Sequence, residues 1–269
     1  MPEGERAARI AWARLVEPRD RQALELVERH GAERALRTLA PSSPLGQRVS
    51  ARLGNLDVPR DLEIASRLET RILVPGDDEW PGGLAALDDG PLCLWVRGPL
   101  DLATVGARSV SIVGARAATQ YGLRQAGELA AGLADRGFAV VSGAAYGIDA
   151  AAHQGALAVE GATMAFTAGG IDRPYPKGHE QLFARLWREG LVVSEVPPGS
   201  APTAVRFIAR NRMIATVSQG TVVVEAGLRS GSLNTARAAG EHHRVVCAVP
   251  GSVESAVSAG CHEMIRDGR

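Results

Sequence analysis

Aromatic residues are scarce in this chain, at 4% of 269 positions. Cysteine is scarcer, represented by Cys93, Cys247 and Cys261 alone. An odd number without close spacing argues against a disulfide framework and against a zinc site. Free thiols in a reducing compartment are the expectation. Long apolar runs are also missing: none approaches the roughly 18 residues that span a bilayer. The opening MPEGERAARIAWARL lacks the apolar core of a signal peptide. A cytoplasmic protein with no membrane segment is therefore expected. Charge of one sign is the last absence. Lys+Arg and Asp+Glu both total 30, which argues against coating nucleic acid by bulk charge. Any basic groove has to be local.

What the chain does have is alternation. Apolar residues make up 45% and charged residues 22%, ordinary values for a globular protein. Gly and Ala are abundant and suit tight turns and close helix–sheet packing. Residues 5–40 show Leu24, Val27, Leu36 and Leu39 at helical spacing, punctuated by Pro18 and Gly31, which predicts two or three short helices. A break at Pro41–Pro44 precedes another helical piece over 45–68. From Ile72 the texture changes. A strand, the Trp80-Pro81 turn and a short helix lead to a strand at 92–98. Apolar runs at 109–114, 138–143, 162–170, 191–195, 221–226 and 244–251 then alternate with helical stretches at 120–135, 147–158, 179–189, 204–218 and 232–241. This pattern predicts an α/β fold. Its core is a doubly wound, mostly parallel Rossmann-like sheet over 69–269, behind a small all-helical module over 1–68.

Ligands of such sheets bind beyond the carboxyl ends of the strands, so the strand-to-helix turns carry the chemistry. The first reads Gly114-Ala115-Arg116 and lacks the GxGxxG of a dinucleotide site. Arg116 fills the space a pyrophosphate needs, but can pair with a phosphate itself. The second strand ends in Ser142-Gly143, without the acid that holds a ribose hydroxyl. A nicotinamide-dependent oxidoreductase is disfavoured on both counts. Small residues and backbone N–H groups over 142–147 instead outline an anion site. Between Val196 and Val224 there is no acid, yet Arg206, Arg210 and Arg212 crowd into seven residues beside Phe207. Single-strand binders combine cations with aromatics in this way. Ser230-Gly231-Ser232 opens the last long helix and suits a phosphate. Glu225 fits either a catalytic acid or a partner for an arginine. The second is preferred, because no base or nucleophile stands with it. Asp149 and His153 share a helical face, as a catalytic pair would or, more commonly, a polar pair supporting a turn.

Taken together, VGARAATQYG, VVSGAAYGIDAAAHQGAL, GGIDRPYP, SEVPPG, RFIARNRMIATVS, VVVEAGLRSGSLNTARAA and AVPG resemble, in order, the DNA-processing protein A family (DprA, also called Smf) from about Arg71 onward. The resemblance implies a non-enzymatic protein that binds single-stranded DNA and protects incoming strands. It further implies loading of RecA recombinase during natural transformation, dimerisation, and no need of a cofactor or metal. Arg116, Ser142, Gly143, Lys177, Phe207, Arg210, Asn211, Arg212, Gly231 and Ser232 inherit a DNA-binding role, and Arg206 and Ser230 join them by position. The helical N-terminus looks like a sterile-alpha-motif-like module. Met264 and Ile265 are candidates for the dimer interface.

Three departures stand out. Tyr146 replaces the Arg or Lys often found in the SGxAxGID turn, which removes a phosphate contact while offering a ring that can stack on a base. Ile208 replaces a Pro. Many members also continue into a winged-helix module after the point corresponding to GCHEMIRDGR, so a segment of a longer chain is expected. The competing reading is a nucleotide-processing enzyme of the phosphoribohydrolase or N-glycosidase class. It requires a PGGxGTxxE-type turn, whereas RSGSLNTARAAGE places Glu241 too far along its helix.

Overall fold

Eight short apolar runs pair into one sheet in the computed structural model, which describes residues 3–268. The strands are β1 (Thr70–Leu73), β2 (Leu94–Arg97), β3 (Ser109–Gly114), β4 (Ala139–Ser142), β5 (Thr163–Thr167), β6 (Leu191–Ser194), β7 (Gly220–Val224) and β8 (Val245–Val249). Their order is β1-β2-β6-β5-β4-β3-β7-β8. Five of the seven pairings are parallel, and only β1–β2 and β2–β6 are antiparallel. Strands β4, β5 and β6 are buried along their whole length, as their unbroken apolar character requires when both faces are covered. The chain moves outward from β3 to β4 on one side and later returns to β7 on the other. The strand order therefore reverses at β3, which opens a crevice at its carboxyl end.

The helices that cover the sheet are α6 (Leu102–Ala107), α7 (Gln120–Ala134), α8 (Ile148–Ala158), α9 (Glu180–Glu189), α10 (Ala204–Val217), α11 (Ser232–Glu241) and α12 (Ala259–Arg266). Helices α7 and α8 pack on Ile112, Val140 and Val224, and α9 packs on the same side. Helices α10, α11 and α12 cover the opposite face through Met213, Ala236 and Met264 against Val113, Met164 and Val223. Two short helices, α6 and α12, were not anticipated, and the helix expected after Pro81 is a single 3-10 turn, Gly82–Ala86.

Five helices precede the sheet: α1 (Glu5–Leu15), α2 (Arg21–His30), α3 (Ala32–Thr38), α4 (Pro44–Ser50) and α5 (Val58–Arg67). Asp20, Ser43 and Asp57 cap α2, α4 and α5 by accepting first-turn N–H groups. The Trp12 ring is fully buried and its Nε1 donates to Ala32 O at 3.0 Å. The core around Trp12 is continuous with Trp95, Phe183, Leu186 and Val192 of the sheet layer. Each such fully buried large side chain contributes about 1.5–3 kcal/mol. Among the described residues, no helix is long and apolar enough to cross a membrane.

Candidate nucleic-acid interface

Three turns and one helix converge at the carboxyl ends of β3, β4 and β5. The turn after β3 carries Arg116, which is exposed; its Cζ lies 4.9 Å from the centre of the Phe207 ring on α10. Among the described residues, no carboxylate pairs with Arg116. Tyr175, in the segment after β5, meets the same ring at 5.5 Å between centroids, tilted by 57°. Phe207 is half-buried and Tyr175 is exposed. An arginine and a tyrosine thus contact one aromatic ring at the crevice, with Lys177 exposed two residues beyond Tyr175.

Beneath this layer lies Arg210, only 5% exposed. Its Nη1 donates to Phe166 O at 2.6 Å and its Cζ stands 5.9 Å from the Phe207 ring. Burial brings its pKa down to about 10, so it stays charged at neutral pH. Gly143 packs directly on the guanidinium, where a β-carbon would collide with it. Arg210 is the floor of the site. It places positive charge under the aromatic layer without projecting a free fork into solvent.

The predicted anion cradle over 142–147 already holds an anion, and that anion is internal. Asp149, buried at the start of α8, accepts the N–H groups of Gly143 at 3.2 Å and Ala145 at 3.3 Å. Burial raises its pKa, with Arg210 and those two N–H groups opposing the shift. The Ser142 hydroxyl is fully buried and donates to Ile112 O at 2.6 Å. Ser142 and Gly143 therefore shape the turn, and their donors are not free for a phosphate. His153 does not pair with Asp149. Its Nδ1 meets Thr163 Oγ1 at 2.7 Å, and that hydroxyl in turn donates to Val140 O. The ring is accordingly protonated on Nδ1, leaving a bare, buried Nε2. Burial, helped by the nearby Arg210 charge, lowers its pKa to about 3.

The other arginines of α10 are committed internally, which corrects the basic patch read from the sequence. Arg212 is 5% exposed and pairs bidentately with Glu195 at 2.6 and 2.8 Å and with Asp89 at 3.1 Å. Burial works against its charge, but Glu195 and then Asp89 outweigh it and raise the pKa. Arg206 pairs with Glu17 of the helical module at 2.8 Å. Glu225 does not pair with an arginine as the sequence reading preferred; its carboxylate is taken by Thr119. It is 3% exposed, sits at φ 55°, and accepts from the Thr119 N–H at 2.8 Å and from the Thr119 hydroxyl, holding the start of α7. Its own carbonyl accepts from Ala115 N at 2.7 Å, which anchors the turn that presents Arg116.

Ser230 and Ser232 bond to each other at 2.7 Å between hydroxyls, and Gly231 is exposed with open space around it. Asn211 reaches Gly231 O at 3.5 Å and borders a groove of about 1200 Å³ beside α2 and α11. Five arginines and five acids line that groove, so its charge gives no preference for phosphate. Met264 is buried on the inner face of α12, which removes it from the surface, whereas Ile265 is exposed. Tyr175 was missed by sequence reasoning. Its signal was an aromatic flanked by Arg173 and Lys177 in an otherwise aromatic-poor chain.

Residues 71–268 match the family described as DNA recombination-mediator protein A. A Mycobacterium tuberculosis protein described as a DNA processing protein DprA is 46% identical over 275 residues, covering 96% of this chain and 71% of the relative. The crystal structure of DprA from Streptococcus pneumoniae superimposes with a TM-score of 0.81 at 31% identity, over 100% of this chain and 94% of that one. A structure of DNA processing protein A from Helicobacter pylori, described for its single-stranded DNA binding mode, gives 0.67 at 27% identity, over 76% and 90%.

Proposed function

The chain belongs to the DNA recombination-mediator protein A family, and on that premise we propose that it binds single-stranded DNA across the carboxyl ends of β3, β4 and β5. The observation that carries the reading is the exposed Arg116 guanidinium beside the Phe207 ring, with the exposed Tyr175 ring against the same aromatic. A ring presented this way needs an unstacked base, which a single strand offers and a duplex withholds. Arg116 and Lys177 meet the adjoining phosphates, and the charge of Arg210 lies beneath. The Helicobacter pylori relative, described for single-strand binding, supports the same reading.

The protein works by binding, not by turnover, in the cytoplasm and as a homodimer. It protects an incoming strand and loads RecA recombinase onto it during natural transformation. Arg116→Glu and Phe207→Ala test the site. Each is expected to weaken binding of an oligo-dT strand at least tenfold in a fluorescence-anisotropy titration while leaving the urea unfolding midpoint unchanged. Wild-type affinity in both variants would remove the site from consideration. Loading is tested by RecA-driven strand exchange on a strand pre-coated with single-strand-binding protein, which this protein is expected to accelerate and Arg116→Glu is not.

A further inference from the structure

A second ring stands at the strand ends besides Phe207. Tyr146, in the turn between β4 and α8, is 49% exposed. The His179 ring contacts it edge-on, with centroids 4.6 Å apart at 75°. His179 is itself anchored to that turn, with Nδ1 3.0 Å from Ala144 O. Gly178 packs so closely that a β-carbon there would lie 2.7 Å from the Tyr146 hydroxyl oxygen. The turn is shaped by two left-handed residues, Ala144 at φ 55° and Gly147 at φ 78°. An exposed tyrosine would ordinarily sample several rotamers, but this one is braced on its partners before any ligand arrives. Pre-organisation of that kind reduces the ordering cost of binding.

Its position relative to the first ring is informative. Gly147, next to Tyr146, lies against the backbone of Arg116, where a β-carbon would stand 2.5 Å from Arg116 O. The Arg116 side chain reaches the other way, to Phe207. The segment Tyr175–His179 touches Phe207 at its first residue and Tyr146 at its last, with Lys177 midway. Two aromatic stations therefore stand at the two ends of the segment that carries Lys177, and Arg116 adjoins both, by its backbone at the Tyr146 turn and by its side chain at Phe207. We propose that Tyr146 is a second base-stacking station, holding one base of a strand whose neighbouring base stacks at Phe207 and Tyr175, with Arg116 and Lys177 on the phosphates between them. The inference rests on the single-strand reading above and adds to it a ring that contributes through bases alone.

That distinction fixes the experiment. Wild type, Tyr146→Phe and Tyr146→Ala are titrated with an oligo-dT strand, with an abasic deoxyribose-phosphate strand of equal length and with a duplex of equal length. Tyr146→Phe keeps the ring and is expected to match wild type within twofold on every substrate. Tyr146→Ala is expected to weaken oligo-dT binding by about 5- to 100-fold, the range of one lost base stack, and to leave abasic-strand binding within twofold. Tyr146→Ala within twofold of wild type on oligo-dT overturns the second station while single-strand binding stands. An equal loss on both strands also overturns it, by assigning Tyr146 to the shape of the turn. A wild-type protein that binds oligo-dT no better than duplex overturns the single-strand reading and the second station with it.

Discussion

Arg116 and Arg212 carry the same charge in opposite surroundings, one exposed beside a ring and the other enclosed by Glu195 and Asp89. Replacing Arg212 by Met leaves the buried Glu195 carboxylate unpaired, which costs about 3–5 kcal/mol. Urea denaturation should show a loss of that order in Arg212→Met. Arg116→Glu should stay within about 0.5 kcal/mol of wild type, as an exposed substitution does. The arginine cluster on α10 was legible in the sequence, but its consumption was not, because Asp89 and Glu17 lie 123 and 189 residues from their partners. Arg116 was legible because it breaks a known glycine fingerprint. His153 supplies a pH dependence. Its folded pKa of about 3 lies below the ordinary value of 6.5, so on acidification the unfolded chain takes up a proton that the folded chain refuses. Its stability contribution is intact above about pH 6.5 and falls as pH drops toward 3, by about 2 kcal/mol at pH 5. His153→Asn, which retains a donor for Thr163, should flatten that part of the stability–pH curve. An unchanged slope would contradict the burial argument.

Secondary-structure elements hold the site through their ends. The eight strands were legible because most are short, largely apolar runs with β-branched residues, bounded by Gly, Ser, Pro or Glu. Helices α6 and α12 were not, since six and eight residues give too little period to read. The turn over 142–147 was legible as small and flexible, but not as already occupied, because Asp149 lies inside the next helix and its carboxylate folds back. The same holds for Glu225, whose partner Thr119 is 106 residues away. Neutralising it tests the element-scale account. Glu225→Gln weakens two hydrogen bonds and removes negative charge from the start of α7, for a loss of about 1–2 kcal/mol. Thermal unfolding should register that loss, together with weaker strand binding, because the carboxylate holds Thr119 at the far end of the Arg116 turn. A stable variant with full affinity would show that the anchor is dispensable.

Over the whole molecule, positive charge is balanced by negative, and most arginines near the crevice are consumed in joining parts. Arg206 ties α10 to Glu17, and Arg14 ties α1 to Asp61 and to Pro198 O. Affinity should therefore depend on a few local cations and on ring stacking, with a shallow response to salt. Two or three phosphate contacts on a single strand give a slope of log K against log salt of about −1.4 to −2. The most direct test of the central claim is a salt-dependent binding titration of this protein with single- and double-stranded oligonucleotides of equal length. The account predicts that the single strand binds at least tenfold tighter at every salt concentration, with that shallow slope. Equal affinity for the two would contradict it.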